Sequence, residues 1–216
     1  MSRDIYNYIA IEGTIGAGKT SLATMLSEEL NSRLILEQFE ENDFLPKFYK
    51  DPEKYAFPLE LSFLASRFQQ LKTELSVTDI FRNVIISDYF ISKSLIFSKA
   101  TLQEDEFNLY SKLFNIINLS LPWPDMIVYL YASVNRLKSN IILRGRTYEQ
   151  NIENSYLQRI QEGYFEYLSK INDMRILIID TNKLDFVNRA EHYEWLKNVI
   201  FQPYEMGIHR IVYENS

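Results

Sequence analysis

The 216-residue sequence has no cysteine and only two histidines. Structural zinc sites, iron–sulfur clusters and disulfides depend on these residue types, so their usual forms are excluded. Any bound metal ion is therefore expected to be a hard cation held by oxygen atoms. Mg²⁺ fits that description.

Long apolar runs are also missing. No stretch approaches the ~20 residues that a membrane-spanning helix needs, and the N-terminal segment MSRDIYNY lacks the apolar core of a signal peptide. We therefore expect a cytoplasmic protein that does not contact a membrane.

Positive charge is in the minority, since 23 Lys and Arg residues stand against 29 Asp and Glu residues for a net charge of -6. This balance argues against a nucleic acid polymer as partner, although a local basic cluster can still hold a few phosphates. No Pro-, Gly- or Ser-rich linker and no internal repeat divides the chain. We therefore predict one domain over residues 1–216.

Short apolar runs alternate with segments of helical spacing. The predicted strands are 6–11, 33–36, 83–87, 125–131 and 175–179. The predicted helices are 19–31, 53–76, 88–99, 103–119, 133–145, 153–171 and 188–201. This alternation predicts an α/β fold with a five-stranded, mostly parallel sheet and helices on both faces, whose ligands gather at the carboxyl ends of the strands.

Residues 13–20, GTIGAGKT, fit the P-loop pattern G-x-x-x-x-G-K-[S/T] between a predicted strand and a predicted helix. Glycines let the backbone turn tightly and point N–H groups at phosphate oxygens. Lys19 is expected to reach the β- and γ-phosphates, and the Thr20 hydroxyl to ligate Mg²⁺. The alternative is a glycine-rich turn with an exposed lysine. The contacts predicted for a nucleoside triphosphate are Gly13, Thr14, Ile15, Gly16, Ala17, Gly18, Lys19, Thr20 and Ser21.

Two acidic residues directly follow predicted strands. Glu37 comes after RLIL and Asp88 after NVIIS, so both are expected at the sheet edge that carries the P-loop. A phosphoryl transferase needs one carboxylate to orient an acceptor hydroxyl and a second near the metal. The alternative is that both acids cap a strand end or a helix start.

Arginines stand at the end of a predicted helix in the stretch LRGRTYEQ. Arg144 and Arg146 carry planar guanidinium groups that suit phosphate oxygens, and Glu149 follows them. The alternative is a solvated basic helix end. Beside a P-loop, we interpret the stretch as a helical lid that closes over the phosphates.

The predicted helix 53–76 carries an apolar stripe that a carboxylate and a guanidinium interrupt. Glu60 and Arg67 are seven residues apart on one face, which corresponds to ~10 Å. That distance suits a grip on two edges of one flat base. The alternative is a stripe edge at the surface.

These motifs together resemble the deoxyribonucleoside kinases, the family that includes deoxycytidine, deoxyguanosine and deoxyadenosine kinases. IEGTIGAGKT is similar to the family P-loop, FYKDPEKYAFPLELSFLASRF to its substrate helix region, LRGRTYEQNI to its lid, and IIDTNKLDF to its last strand and the loop that holds the donor base. The resemblance implies a P-loop NTPase-type fold and an ATP- and Mg²⁺-dependent kinase of nucleotide salvage. It also implies a homodimer, with DEFNLYSKLFNIINL as the packing segment.

The resemblance implies a role for each matching position. Glu37 corresponds to the general base for the 5′-hydroxyl, and Asp88 to the acid near Mg²⁺. Tyr49 and Glu149 correspond to the pair that hydrogen-bonds the 3′-hydroxyl. The other correspondences are the lid arginines Arg144 and Arg146, the base-edge residues Glu60 and Arg67, and the donor-base loop residues Asp180 and Asn182.

The sequence departs from the family pattern at sites that matter for catalysis. Glu60 stands where the family usually has Gln, and Tyr89 where it has the Arg of its E/D-R-S motif. Lys93, about a turn along the helix predicted to begin at Asp88, is the candidate for a partial replacement of that positive charge. Asn140 stands where the lid often has another arginine.

The predicted activity is transfer of the ATP γ-phosphoryl group to the 5′-hydroxyl of a deoxynucleoside. The alternatives are a nucleoside monophosphate kinase similar to thymidylate kinase and a non-catalytic nucleotide-binding module. An ionised Glu60 only accepts hydrogen bonds and so matches the N1–H and N2–H₂ donors of guanine, while Arg67 would donate to O6 or N7. We therefore predict a purine deoxynucleoside, with deoxyguanosine favoured over deoxyadenosine.

Overall fold

The computed structural model of the chain describes residues 6–38, 42–77 and 84–214. Six β-strands within these residues form one sheet in which every neighbouring pair is parallel. The strand order is β2-β3-β1-β4-β5-β6. The strands are β1 (Tyr8–Gly13), β2 (Arg33–Ile35), β3 (Ile85–Ser87), β4 (Met126–Tyr131), β5 (Arg175–Asp180) and β6 (Gly207–Val212).

Helices connect the strands. They are α1 (Lys19–Leu30), α2 (Leu45–Phe48), α3 (Pro52–Ser76), α4 (Ser92–Thr101), α5 (Glu104–Asn118), α6 (Val134–Arg144), α7 (Asn154–Leu168) and α8 (Ala190–Ile200). A 3₁₀ turn, Thr147–Glu149, joins α6 to α7. The turn and α2 were not predicted, because they are too short to show a helical period.

The two faces of the sheet pack against different helices. Val128 and Leu130 of β4 lie in a buried cluster with residues of α1, α6 and α8. Ile127 and Tyr129, which alternate with them, lie in a second cluster with α4 and α7. Alternate residues of a strand point to opposite faces, and a parallel sheet is covered on both sides. The predicted α/β fold with helices on both faces is therefore confirmed.

The count of strands was wrong, because the structure has six where the sequence predicted five. The additional strand is β6, which reads GIHRIV and alternates partly buried with exposed residues. It pairs with β5 at one edge of the sheet. The prediction relied on continuous apolar runs, which are typical of central strands covered on both faces and not of an edge strand.

The start of α4 also differs from the prediction. The helix begins at Ser92, whereas the sequence predicted a start at 88. Asp88 instead forms a bend after β3, and the backbone N–H of Phe90 donates to the carboxylate of Glu12 (2.7 Å). Lys93 is therefore the second residue of α4 and is not one turn into a helix that begins at Asp88.

The other predicted boundaries agree with the structure to within a few residues. For example, α5 ends at Asn118 and β4 begins at Met126, where the sequence predicted a helix to 119 and a strand from 125. Residue 83 of the predicted strand 83–87 lies outside the described residues. In the described part of the chain, no helix has the length and apolar character needed to cross a membrane.

Candidate active site

The P-loop joins β1 to α1, and its backbone packs closely against neighbouring residues. Gly16 and Gly18 have φ angles of 85° and 88°, in the left-handed region that glycine adopts without strain. A Cβ atom at Gly16 would lie 2.7 Å from the carbonyl oxygen of Leu137, and one at Gly18 would lie 2.8 Å from the ring of Phe186. Both the backbone path and the space around it therefore require glycine.

Two P-loop side chains, Lys19 and Thr20, form hydrogen bonds to nearby oxygen atoms. The Lys19 ammonium group donates to the carbonyl oxygens of Gly13 (2.9 Å) and Thr14 (3.1 Å). Burial, followed by the nearby charge of Lys93, lowers the pKa of Lys19 to about 8. The Thr20 hydroxyl donates to Oδ2 of Asp88 (2.6 Å).

Asp88 connects the P-loop to the end of β2. Its Oδ2 accepts the Thr20 hydroxyl, while its Oδ1 accepts the backbone N–H of Glu37 (2.8 Å). The carboxyl ends of neighbouring parallel strands lie at one edge of the sheet, which is why these sequence-distant residues meet. The expectation that both acids follow strands at the P-loop edge agrees with this geometry.

Glu37 is clamped between two cations. Its Oε1 accepts Nε of Arg67 (2.8 Å) and lies 2.6 Å from Nη2, while Oε2 contacts the ammonium group of Lys93. Burial alone would raise the pKa of Glu37, but the charges of Lys93 and Arg67 outweigh it and hold that pKa well below its usual range. Glu37 is therefore an ionised carboxylate.

Tyr89 stands at the position of the family arginine. Its ring is fully buried in the core, and its hydroxyl donates to Oε1 of Gln70 (2.7 Å). Gln70 in turn donates through Nε2 to the carbonyl oxygen of Leu36 (2.8 Å), the residue before Glu37. Tyr89 thus supports the backbone that carries Glu37, and the positive charge next to Glu37 comes from Lys93 and Arg67.

Glu12 is a buried acid that the sequence analysis did not single out. Its carboxylate accepts the backbone N–H of Phe90 and the hydroxyl of Tyr164, both at 2.7 Å. Burial raises the pKa of Glu12 despite the opposing charge of Lys93. Its place in β1, directly before the first P-loop glycine, was the available signal.

The lid is held together by ion pairs. Glu149 contacts the guanidinium group of Arg144 and lies 3.5 Å from Nη1 of Arg146. Gly145, with φ 76°, turns the chain between the two arginines. Asn140 of α6 donates to the carbonyl oxygen of Gly16 (2.8 Å), which ties the lid helix to the P-loop.

Twelve predicted residues line one cavity, which we call the inner cavity. They come from the P-loop, the ends of β2 and β3, the end of α2, helices α3 and α4, and the lid. Sequence reasoning missed its apolar wall, which includes Phe48, Phe63, Phe97 and Tyr156. The predicted residues in the lining are Ile15, Lys19, Thr20, Glu37, Tyr49, Glu60, Arg67, Asp88, Lys93, Arg144, Arg146 and Glu149.

Glu60 lies buried in the wall of the inner cavity. Its Oε1 accepts the hydroxyl of Thr101 (3.0 Å), whereas its Oε2 has no hydrogen-bond partner within residues 6–38, 42–77 and 84–214. Burial raises the pKa of Glu60 to about 7, against the smaller opposing effects of Arg67, Thr101 and Lys93. All three guanidinium nitrogens of Arg67 bond to Glu37 or Ser94, which limits what Arg67 can do for Glu60.

A second cavity of about 710 Å³, the P-loop cavity, lies on the other side of Lys19. Its size falls within the ~300–1,000 Å³ range of small-molecule sites. It is lined by residues 16–21, by α6 with the lid arginines, and by the loop 184–188 after β5. Both cavities include Lys19, Thr20, Arg144 and Arg146, so ligands in the two would meet there.

The structure does not bring Asp180 and Asn182 into the lining of either cavity. Asp180 Oδ1 accepts two bonds from Asn182, from the backbone N–H (2.9 Å) and from Nδ2 (2.8 Å). Asn182 Oδ1 accepts the backbone N–H of Ser133 (2.9 Å). These residues shape the loop, while Asp185 and Phe186 reach the P-loop cavity in their place.

Four features define a P-loop kinase. They are the parallel sheet covered by helices, the P-loop, the Asp88 carboxylate bonded to the Thr20 hydroxyl, and the lid with two arginines. The sequence profile described as Deoxynucleoside kinase matches residues 9–202. The chain belongs to the deoxynucleoside kinase family and is an ATP-dependent phosphotransferase of that class. This membership favours the enzyme over the non-catalytic module.

Individual relatives agree with this membership. The chain is 37% identical over 194 residues to the deoxyguanosine kinase of Bacillus subtilis strain 168, covering 87% of this chain and 92% of that protein. It is 35% identical over 195 residues to the deoxyadenosine kinase of Dictyostelium discoideum, covering 88% and 78%. The structure of deoxyadenosine kinase from M. mycoides with bound dATP matches with a TM-score of 0.77 and 28% identity, covering 90% of this chain and 99% of that one.

Proposed function

We propose that the protein transfers the γ-phosphoryl group of ATP to the 5′-hydroxyl of a purine deoxynucleoside in nucleotide salvage. The observation that carries the proposal is the inner cavity, which combines the P-loop lysine, an ionised Glu37 and an acceptor-rich Glu60 at one sheet edge. The adjoining P-loop cavity suits the donor, because it is bounded by the P-loop backbone and the lid arginines.

Glu37 acts on the acceptor hydroxyl. Being ionised, it accepts the 5′-hydroxyl hydrogen bond and then the proton. Arg67 and Lys93 hold its two oxygens, and Lys93 adds the positive charge that Tyr89 does not supply. Phosphoryl transfer depends mainly on positioning and charge stabilisation, so an oriented but weakly basic carboxylate is adequate.

Thr20 and Asp88 suit Mg²⁺. A hydroxyl and a carboxylate oxygen 2.6 Å apart are hard oxygen ligands, and protein sites for Mg²⁺ usually supply one or two carboxylates beside the substrate phosphates. When bound, Mg²⁺ would supply positive charge that offsets the negative charge developing on the phosphate oxygens. Thr20 and Asp88 would hold the ion, while Asp88 Oδ1 accepts the backbone N–H of Glu37.

The sugar contacts belong to the same proposal. Tyr49 and Glu149 line the inner cavity and are assigned to the 3′-hydroxyl. Because Glu149 also pairs with Arg144 and Arg146, contact with the sugar would be coupled to the position of the lid arginines. Lid closure and correct sugar placement would therefore favour each other.

Glu60 is assigned to the base. An ionised Glu60 accepts N1–H and N2–H₂ of guanine, which is why deoxyguanosine is the proposed first choice. Each terminal nitrogen of Arg67 carries a second N–H, and one of these can donate to O6 or N7. The names of the relatives, deoxyguanosine and deoxyadenosine kinases, support a purine acceptor.

The proposal includes a homodimer formed through α5. One face of this helix is buried, whereas Leu109 is 52% exposed and Ile116 is 70% exposed on the other. Pairing of two copies would cover this apolar face. A monomer mass in light scattering would contradict the dimer.

A coupled assay with ATP and a panel of deoxynucleosides, ribonucleosides and nucleoside monophosphates tests the function. We expect turnover with purine deoxynucleosides and its loss in Lys19→Ala, because that variant lacks the cation for the β- and γ-phosphates. Turnover restricted to monophosphates would favour the alternative similar to thymidylate kinase. Parent-level turnover in Lys19→Ala would refute the donor assignment.

A further inference from the structure

We propose that Glu60 selects between guanine and adenine by losing or gaining one proton, and that the hydroxyl of Thr101 biases this choice from behind the cavity wall. The inference rests on the proposed function and deepens it. Glu60 contacts the base, whereas Thr101 does not line the inner cavity and is a positioning residue.

The geometry divides the Glu60 carboxyl group into two different oxygens. Oε1 is occupied by the Thr101 hydroxyl at 3.0 Å. Oε2 is buried and has no hydrogen-bond partner in the described ranges, although its side chain lines a cavity suited to a ligand. A buried polar atom without a partner costs free energy, so a ligand that supplies the missing bond is favoured.

The proton decides which base supplies that bond. With both oxygens ionised, Glu60 accepts the two adjacent donors of guanine, N1–H and N2–H₂. With a proton on Oε2, it donates to N1 of adenine while the other oxygen accepts from N6–H₂. In the wrong combinations, like groups face each other. Adenine N1 and an ionised Glu60 are both acceptors, and a guanine N–H and a protonated Glu60 are both donors, so one hydrogen bond is lost and two polar groups stay unpaired.

The surroundings of Glu60 allow both its protonated and its ionised state near neutral pH. Arg67 is held by Glu37 and Ser94, and Lys93 is held by Glu37, so neither cation is paired with Glu60 directly. Burial therefore outweighs their longer-range attraction and raises the pKa of Glu60 to about 7. The ionisable groups that face Glu60 are Glu37 after β2, Tyr49 after α2, Arg67 on α3, Lys93 on α4, Tyr110 on α5 and Tyr156 on α7.

Thr101 can serve both states of Glu60. Its hydroxyl lies 3.0 Å from Glu60 Oε1 and 3.0 Å from the carbonyl oxygen of Phe97, one turn earlier in α4. A hydroxyl has one hydrogen, so it donates to one of these acceptors at a time. Donation to Glu60 stabilises the carboxylate and therefore the guanine-binding state, since hydrogen bonds to ionised groups are the stronger ones.

The test measures kcat/KM for deoxyguanosine and deoxyadenosine with the full chain between about pH 6 and about pH 8. The ratio of the two values cancels titrations that both substrates share, such as those of Lys19 and Glu37, and this range is below the pH at which guanine loses its own N1 proton. We expect the ratio, deoxyguanosine over deoxyadenosine, to rise with pH by up to about tenfold per unit, the limit for one proton.

Two substitutions at Thr101 distinguish the role of its hydroxyl from the role of its side-chain shape in packing. Thr101→Val removes the hydroxyl but keeps the shape, so it should lower the ratio about tenfold at each pH, the effect of losing a charge-assisted hydrogen bond. Thr101→Ser keeps the hydroxyl and should stay within about twofold of the parent ratio. A purely structural role would change both substrates equally and leave the ratio unaltered. Glu60→Gln should shift the ratio towards deoxyadenosine and make it independent of pH.

The outcomes distinguish this inference from the proposed function. If both purines are phosphorylated at a ratio that does not change with pH, the proton switch is refuted and the kinase assignment stands. If Thr101→Val changes both substrates equally while the parent ratio follows pH, the role of Thr101 is refuted and the proton switch at Glu60 stands. If Thr101→Val does not fold, Thr101→Ala, which also removes the hydroxyl, takes its place in the same comparison with Thr101→Ser. If neither purine deoxynucleoside is an acceptor at any pH, the proposed function fails and the inference fails with it.

Discussion

Glu37, which is half-buried, and Glu60, which is buried, are two carboxyl groups of the same cavity whose pKa values move in opposite directions. Burial would raise the pKa of both. At Glu37 two direct cation contacts reverse that effect, whereas Glu60 has a hydroxyl on one oxygen and cations only at longer range. The difference shows that the immediate partners of a buried acid, more than its depth, decide whether it carries a charge.

The comparison divides the inner cavity by function. In the proposed function, the reaction end acts on atoms that all acceptors share and carries fixed charges. It consists of Lys19, Glu37, Asp88 and Lys93. The base end consists of Glu60, with Thr101 bonded to it from behind the cavity wall. In the proposed function it carries a group whose charge can change, and it acts on the atoms in which purines differ. Changes at the reaction end should therefore alter turnover for every acceptor, and changes at the base end should alter selection.

Glu37→Gln should have the largest effect on turnover. The amide can orient the 5′-hydroxyl but cannot accept its proton, so kcat should fall by ~10² or more for both purines alike. Single-turnover kinetics with each purine, together with ATP binding by calorimetry, check this. A kcat near that of the parent would show that Glu37 is not the base. Unequal losses for the two purines would contradict the division of the inner cavity into a reaction end and a base end.

Lys93→Met should lower kcat by about tenfold to a hundredfold, since a buried cation near the reacting groups is lost. The pKa of Glu37 should rise without Lys93, and the acid limb of the kcat/KM profile should move to higher pH. The matched control is Lys99→Met on the same helix, because Lys99 is half exposed and pairs with Glu166 at the surface. An unshifted acid limb in Lys93→Met would show that Lys93 does not act through Glu37.

Glu60→Gln should remove the pH dependence of stability that Glu60 contributes. The folded-state pKa of Glu60 is raised from 4.5 to about 7, so the folded protein binds the proton more tightly than the unfolded chain. The parent should therefore lose stability relative to the variant as pH rises from about 5 to about 8, by up to about 3 kcal/mol. Thermal unfolding at both pH values measures this, with Glu166→Gln as a surface control. A constant difference would contradict the raised pKa.

Tyr89→Phe should give the smallest effect. It removes the hydroxyl that orients Gln70, at a cost of about 1 kcal/mol in the free energy of unfolding, and should lower kcat about twofold to threefold by loosening the backbone before Glu37. Tyr193→Phe, which removes a hydrogen bond to Glu29 at the surface, serves as control and should leave kcat unchanged. If Tyr89→Phe lowers stability but keeps the kcat of the parent, Tyr89 contributes to core stability and not to the placement of Glu37.

Much of the reaction end could be predicted from the sequence because its signals are local. The P-loop residues are contiguous, and Glu37 and Asp88 each directly follow an apolar run. Parallel strands bring their carboxyl ends to one edge, so position after a strand predicts position in space. The fold class followed from the same alternation of strands and helices, whereas the edge strand β6 did not, because half of its residues face solvent.

Contacts between distant side chains could not be predicted in the same way. Sequence position suggested Lys93 as a cation near the phosphates, but only the bend at Asp88 and the later start of α4 bring Lys93 onto Glu37. Asp180 and Asn182 matched a family segment, yet their side chains bond to each other and to Ser133. Their assignment to the donor base stays a prediction.

The sequence by itself determined the α/β class, the P-loop and the two acids at its edge, because short-range patterns of apolar residues and glycine encode backbone conformation directly. Tertiary structure decided which buried acids are charged. Glu37 and Glu60 are the same residue type, and their difference arises from Lys93, Arg67 and Thr101, which reach them only after α3 and α4 pack beside the sheet. Charge on a buried group depends on distances of a few ångströms between residues that are far apart in the chain, and such distances exist only in the folded protein.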